Sequence, residues 1–236
     1  MSSAEALHNH PLLAWQRFRR TWALDEANLS APSAEPIKSA AAVDMGADVV
    51  LVKQYLAGDA HAFELLFRKY ETPVFNFISR MVSGEDAYDL TQDVFCCVLR
   101  SLHTFRGDSK FSTWLYSIAR NICLNRLRRR ACVRVDSLDQ MCENQPGFDL
   151  PSDSPDADRV LETHELQRII NDILSEMNPE QRMIITLRDF EQLSYEEISS
   201  IMGLSLANTK SKLHRARMAF KQRFKPYINL WMEGRE

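Results

Sequence analysis

Apolar residues along this chain recur with the period of a helix rather than that of a strand. Phe63, Leu66, Phe67 and Tyr70 fall at i, i+3, i+4 and i+7, which places them on one helical face. Val74, Phe77, Ile78 and Met81 repeat the pattern beyond Pro73. An internal proline removes a backbone hydrogen bond, so a kink or break is expected near Thr72. Ser83-Gly84 closes the segment. The next helix is expected over Asp86 to Leu102, with Leu90, Val94, Cys97 and Val98 turned inward. A polar loop follows at Thr104 to Lys110. A further helix is then expected from an N-cap near Ser112, carrying Leu115, Ile118 and Ile122 inward.

Pro146, Gly147, Pro151 and Pro155 interrupt any periodicity between 131 and 158, so this stretch reads as an extended linker. From Asp158 helical spacing resumes through Leu161, Leu166, Ile169, Ile170, Ile173 and Leu174. Asn178-Pro179 pairs an N-cap with proline at the first helical position, and Met183, Ile184, Leu187 and Phe190 form the next inner stripe. Alternating β-branched runs are scarce. The expected fold class is all-α: two helical domains, 48–131 and 159–236, joined by a flexible acidic linker, 132–158. Residues 1–47 form a separate zone. Leu12, Leu13, Trp15, Phe18 and Trp22 suit a short amphipathic helix, followed by an Ala/Ser/Pro-rich tether from Ser30 to Ala42. Docking on the body, disorder and a membrane-surface helix all fit that zone.

The sharpest local signal lies near the end of the chain. Ser194 and Glu197 have the spacing of a capping box. Ile198, Ile201 and Met202 give the short helix that follows an apolar side, and Gly203 suits a left-handed turn. Ser205 then caps a second helix expected to reach about Phe224. Helix, tight glycine turn and helix make a helix-turn-helix. Leu213, Ala216 and Phe220 face inward on the second helix. Asn208, Thr209, Lys210, Ser211, Lys212, His214 and Arg215 occupy its polar N-terminal half, the part such helices present to base edges and phosphates in a major groove.

Charge distribution sharpens this picture. The formal net charge is −3, which argues against coating DNA by charge alone. Yet Arg120 to Arg134 holds six arginines and no acid, and Ser205 to Lys225 holds seven Lys or Arg and no acid. Between them, Asp136 to Glu165 holds nine acids and one arginine. Near the first cationic zone, Phe105, Phe111 and Trp114 supply aromatics, and aromatics beside cations hold unstacked bases. The same rings also suit a core, to which Trp114 is assigned. Glu85, Asp86, Asp89 and Asp93 fall within nine residues, and the last three share a helical face. That face suits a basic partner protein, or simply water.

The five cysteines lack paired spacing and read as core or incidental surface thiols, with redox sensing left open for Cys132 and Cys142. No metal-ligand spacing, phosphate-binding glycine loop or nucleophile–base pair is present, so no enzyme activity, metal or cofactor is expected. No apolar run approaches the ~20 residues of a membrane span, and no signal-peptide pattern opens the chain. A cytoplasmic location is expected. The residues themselves leave three readings: a promoter-reading subunit of a larger machine, an autonomous dimeric regulator with a two-fold site, and a hub that sequesters a partner.

A resemblance favours the first reading. The run DAYDLTQDVF from Asp86 to Phe95, FRGDS from Phe105 to Ser109, and TWLYSIARN from Thr113 to Asn121 resemble region two of bacterial sigma factors. LSYEEISSIMGL from Leu193 to Leu204, with NTKSKLHRAR from Asn208 to Arg217, resembles region four. The linker has no room for a region-three domain, so the plan is similar to that of the extracytoplasmic-function (ECF) group. The resemblance implies that Asp86, Asp89, Gln92, Asp93 and Phe95 dock on core RNA polymerase. It implies that Thr104, Phe105, Arg106, Asp108 and Ser109, with Arg120, Asn121, Arg126 and Arg128, hold the opened strand of a −10 element. It implies that Asn208, Thr209, Lys210, Ser211, Lys212, His214 and Arg215 read the −35 element. It further implies that the linker threads the polymerase channels. The partners implied are core polymerase, promoter DNA and an anti-sigma factor able to hold the protein at the inner membrane, with no small-molecule substrate and a monomer outside complexes.

Overall fold

The computed structural model describes residues 41–82, 85–136 and 157–233, with side chains described for 46–82, 86–130 and 165–227. Most of the N-terminal zone, Ser83-Gly84, most of the linker, and the side chains of Cys132 and Cys142 lie outside the described residues. The elements in order are α1 (Ala41–Leu56), α2 (Ala60–Met81), α3 (Glu85–Ser101), a 3-10 turn (Leu102–Thr104), α4 (Phe111–Asp136), α5 (Ala157–Glu176), α6 (Pro179–Ile185), a π-helical turn (Thr186–Phe190), α7 (Tyr195–Met202) and α8 (Leu206–Glu233). No strand occurs among the described residues, in keeping with the all-α expectation.

The first domain is built around α2. Asp59 caps it by accepting from the His61 N–H at 3.0 Å. The helix runs through Pro73 without a break, so of the kink or break expected near Thr72 the break does not occur. Leu66 and Tyr70 before the proline and Val74, Phe77, Ile78 and Met81 after it lie on one continuous buried stripe. Packing on both sides of the proline outweighs the hydrogen bond it removes. α1 begins at Ala41, inside the zone assigned to the tether, where alanines favour helix. Asp48 ties α1 to α2, accepting from Lys69 and the Tyr70 hydroxyl, each at 2.6 Å. α4 starts at Phe111 rather than after a Ser112 cap, because the Lys110 carbonyl accepts the Trp114 N–H. Its buried apolar residues are Phe111, Leu115, Tyr116, Ala119 and Cys123, whereas Ile118 and Ile122 are half-buried. Both helices flanking the linker extend past the expected limits, α4 to Asp136 and α5 from Ala157.

In the second domain Asn178 caps α6, accepting from the Glu180 N–H at 3.0 Å, with Pro179 next to it as the sequence suggested. The helix then widens into the π turn, and Gln192 closes the turn with φ 58°, a left-handed value rare for a non-glycine residue. Ser194 and Glu197 form the capping box, with bonds of 3.2 and 2.7 Å. Gly203 lies at φ 66°, ψ 38°, and the Asn208 N–H bonds the Ser205 hydroxyl at 3.3 Å. α8 runs to Glu233, well past Phe224 and through Pro226. Ile198, Ile201, Met202, Leu213, Ala216 and Phe220 are buried, as the spacing required.

The two domains pack directly on each other. α2 meets α5 and α6, and α4 meets α7. The buried apolar residues of both halves belong to one core. Sequence periodicity gave no hint of this.

Candidate nucleic-acid and polymerase interfaces

Three surfaces come into question, and the first and third lose members that the sequence had nominated. On α3, Asp89, Gln92 and Asp93 are exposed on one face. Asp86 is not part of it. It is buried, bonds Arg126 through two nitrogens at 2.7 and 3.2 Å, and pairs with Arg130. These partners, the Arg126 hydrogen bond foremost, hold its carboxyl below the ordinary range against the opposing effect of burial. Phe95 also leaves the face. It is 5% exposed and meets Phe67 edge-on at 4.6 Å between ring centres. Periodicity alone places Asp86 and Phe95 near the margins of the stripe, where only packing decides.

The second surface joins the loop after α3 to the outer side of α4. Thr104, Arg106 and Asp108 are exposed, and Ser109 is half-buried. The Thr104 hydroxyl donates back to the Ser101 carbonyl at 2.6 Å, which tightens the 3-10 turn. Gly107 takes φ 81° with open space around it, so the loop needs glycine for its backbone and not for room. Phe105 is half-buried, its ring 5.6 Å from Phe111 and 5.5 Å from Trp114. The trio forms an aromatic shelf with one edge to solvent, which a base can extend by stacking. Asn121 and Arg128 are exposed on α4. Arg120 is half-buried and donates to the Asn121 side chain at 3.0 Å. Arg126, aimed by Asp86, is half-buried too.

The third surface is the N-terminal half of α8. Asn208, Lys210, Ser211, His214 and Arg215 are exposed. Thr209 is fully buried, its hydroxyl donating to the Ser205 carbonyl at 3.1 Å, so it positions the helix and does not reach outward. Lys212 is half-buried and pairs with Glu180 of α6 at 2.8 Å. That ammonium holds the Glu180 carboxyl below its ordinary range. Arg217, part of the same basic run, is committed to Asp189 in a two-pronged ion pair that ties the π turn to α8. Lys210 lies 5.6 Å above the Tyr195 ring, and Arg188 lies 4.7 Å from it.

Sequence reasoning missed a set of residues between the domains. Glu191 accepts a 2.6 Å bond from the Tyr116 hydroxyl and faces Arg80 at 3.6 Å. Arg80 lies 4.3 Å over the Phe190 ring. Burial pushes both the Tyr116 hydroxyl and the Glu191 carboxyl above their ordinary ranges. Arg182 is buried, donating to the Met81 carbonyl at 2.8 Å and to the Ser175 carbonyl. Lys110, beside the aromatic shelf, pairs at 2.9 Å with Glu197. One carboxylate thus caps α7 through one oxygen and holds the other domain through its second. Among the described residues no cluster of metal-binding side chains occurs, and no helix is long and apolar enough to cross a membrane.

Comparison with known proteins agrees with this layout. Residues 66–132 match the family Sigma-70 region 2, and residues 167–220 match Sigma-70, region 4. The chain is 36% identical over 185 residues to the ECF RNA polymerase sigma-E factor of Escherichia coli strain K12, covering 77% of this chain and 96% of that protein. It is 34% identical over 184 residues to the protein of that name from Haemophilus influenzae, covering 77% and 97%. The fold is shared with the sigma factor RpoE of Bartonella quintana, solved in complex with the anti-sigma factor NepR, at 23% identity and TM-score 0.57, covering 69% of this chain and 96% of that one. CnrH, solved with the cytosolic domain of CnrY, gives 21% identity and TM-score 0.55, covering 76% and 98%. With two matched regions in order on two packed helical domains, this chain belongs to the ECF sigma-factor family.

Proposed function

We propose that this chain is a promoter-specificity subunit that docks on core RNA polymerase, reads a −35 and a −10 element, and stabilises the opened strand. The observation that carries the reading is the division of labour between the domains. A glycine elbow in one presents Lys210, Ser211, His214 and Arg215, while the other sets a half-buried aromatic shelf beside a row of arginines.

Asp89, Gln92 and Asp93 are the docking residues, a short acidic face suited to a basic helical partner. Asn208, Lys210, Ser211, His214 and Arg215 enter the major groove, with arginine and lysine supplying guanine-edge and phosphate contacts. Lys212 joins them when it leaves Glu180. Around the shelf, a flipped base stacks near Phe105 within reach of Thr104, Arg106, Asp108 and Ser109. Asn121, Arg120, Arg126 and Arg128 hold the backbone beside it. Unstacking a base costs a few kcal/mol, and stacking on an aromatic returns about 1–3. Two weak sites on one chain then gain through effective concentration. The acidic linker passes through the polymerase channels, and an anti-sigma factor binds the chain when it is idle.

The test is co-elution with core polymerase followed by binding to a fork-junction promoter DNA. Asp89→Lys with Asp93→Lys abolishes co-elution on this reading. Strong palindrome-specific binding without polymerase would favour an autonomous regulator instead. A regulatory output untouched by replacing Lys210, Lys212 and Arg215 with alanine would favour a partner-sequestering hub.

A further inference from the structure

From Ser205 to Lys225 α8 carries no acid of its own, so the carboxylates that meet this stretch come from other elements. Asp189 and Glu180 both do so, and they differ in kind. Asp189 holds Arg217 where the two side chains are well covered, 5% and 24% exposed. That pair ties the π turn to α8 and belongs to the scaffold. Glu180 meets Lys212 at 2.8 Å with side chains 62% and 38% exposed. An exposed pair of long side chains contributes little to folding stability, so stability does not account for an anion at this place. Nor does the start of α6 need it, because the backbone N–H of Glu180, and not its side chain, serves the Asn178 cap.

The place is the edge of the reading face. Lys212 follows Ser211 and precedes Arg215 by three positions, and both of these are exposed. An open cleft of about 230 Å³ beside the pair is lined by Glu180, Lys212 and Arg215 together with Asn178 and Gln181. A phosphate group fits that space, but the Lys212 ammonium is already taken. The hydrogen bond and charge of Lys212, with Arg120 adding to them, hold the Glu180 carboxyl below its ordinary range. Glu180 is therefore an anion near neutral pH, where DNA is bound.

We infer that Glu180 is an affinity-determining residue of the −35 site, occupying Lys212 as a built-in rival to the DNA phosphate. This role rests on the promoter reading above. It leaves a signature in the salt dependence. A lysine that passes from water to a DNA phosphate releases about 0.9 counterions. A lysine that passes from a carboxylate to a phosphate frees the carboxylate, which takes up a cation again, and the release cancels. Lys212 thus adds nothing to the salt dependence of the wild type, and about one ion once the Glu180 charge is gone.

The test uses the full chain in complex with core polymerase, titrated with a promoter duplex that this complex selects from a genomic pool, between ~50 and ~200 mM salt. Glu180→Gln keeps the size and the capped N–H and removes the charge. It binds about three-fold tighter or more at the low-salt end, and its slope of log affinity against log salt is steeper by about 1. Lys212→Ala keeps the wild-type slope. It costs about three times more affinity in the Glu180→Gln background than in wild type, as expected of two rivals for one lysine. Partial unfolding of a variant lowers the bound amplitude and does not steepen the slope, so the slope separates this role from a loss of fold. Unchanged affinity and slope in Glu180→Gln, or weaker binding, overturns the role of Glu180 and leaves the promoter reading standing. A gain of the same size in the Lys212→Ala background also overturns it, since Glu180 then acts without Lys212. Failure of the wild-type complex to select any promoter overturns the promoter reading and the role of Glu180 with it.

Discussion

Replacing Gly203 with alanine separates backbone conformation from packing at the elbow that aims α8. The residue takes φ 66° and ψ 38°, and its N–H and that of Leu204 both return to the Ser199 carbonyl. A Cβ built at Gly203 meets nothing within 4 Å, so no steric conflict with the rest of the fold contributes. What remains is the left-handed backbone, which costs an L-residue about 1–2 kcal/mol. That corresponds to a ~5–30-fold loss in the population of the formed elbow. Asparagine tolerates the region better and loses less, whereas valine, branched at Cβ, loses more. Urea unfolding followed by circular dichroism reads the effect. With a slope near ~2 kcal/mol/M, the midpoint for Gly203→Ala falls by about 0.5–1 M at constant slope. A loss above about 3 kcal/mol would show that the site is crowded. No loss at all would show that the left-handed turn is dispensable, and either result refutes the argument.

Other substitutions test separate parts of the structure. Gln192→Gly relieves the second left-handed position, at φ 58°, worth about 1–2 kcal/mol, but gives up the 2.6 Å bond from the Gln192 side chain to the Asp189 carbonyl and adds chain entropy, so the urea midpoint moves by the equivalent of less than about 1 kcal/mol. Asp86→Asn removes a carboxylate whose pKa is lowered by the Arg126 hydrogen bond and the charges of Arg130 and Arg126. Its stabilisation is fully present above the ordinary value of 3.8 and is lost as pH falls through the lower folded value. Wild type is therefore more stable than the variant at pH 6 by thermal melting, and the gap closes toward pH 2. Burial pushes the Cys123 thiol up to about 12, so a variant retaining only that cysteine resists iodoacetamide at pH 8 until unfolded in urea. Lys210→Ala with Arg215→Ala weakens −35 duplex binding within the polymerase complex, and the slope of log affinity against log salt falls by about 1 for each phosphate no longer neutralised.

What the sequence revealed was local in origin. The Ser194–Glu197 capping box, the Gly203 turn, the Asn178-Pro179 start and the stripes of α2 and α8 each depend on residues within a few positions of one another. Short-range spacing carries that information. Asp86, Phe95 and Thr209 were nominated for outward roles because residue type and spacing suit either side of a helix. A partner forty residues away turns Asp86 inward and a ring on another helix turns Phe95 inward, while Thr209 is buried with its hydroxyl on the Ser205 carbonyl of the preceding turn. Pro73 failed as a break signal for a related reason: helix propensity is local, but the buried stripe spanning it is not. The residues that meet between the domains were illegible, since Tyr116 and Glu191 are separated by 75 positions and no local spacing pairs them. Glu197 shows both sides of the matter, because its cap is readable from Ser194 while its bond to Lys110 is not.

The most direct test of the whole account is in vitro transcription from sheared genomic DNA, using core polymerase with and without this chain and mapping the 5′ ends of the transcripts. The account predicts a set of start sites that appears only with the chain, shares one pair of upstream elements, and is lost with Asp89→Lys and Asp93→Lys. Identical start sites with and without the chain would contradict it.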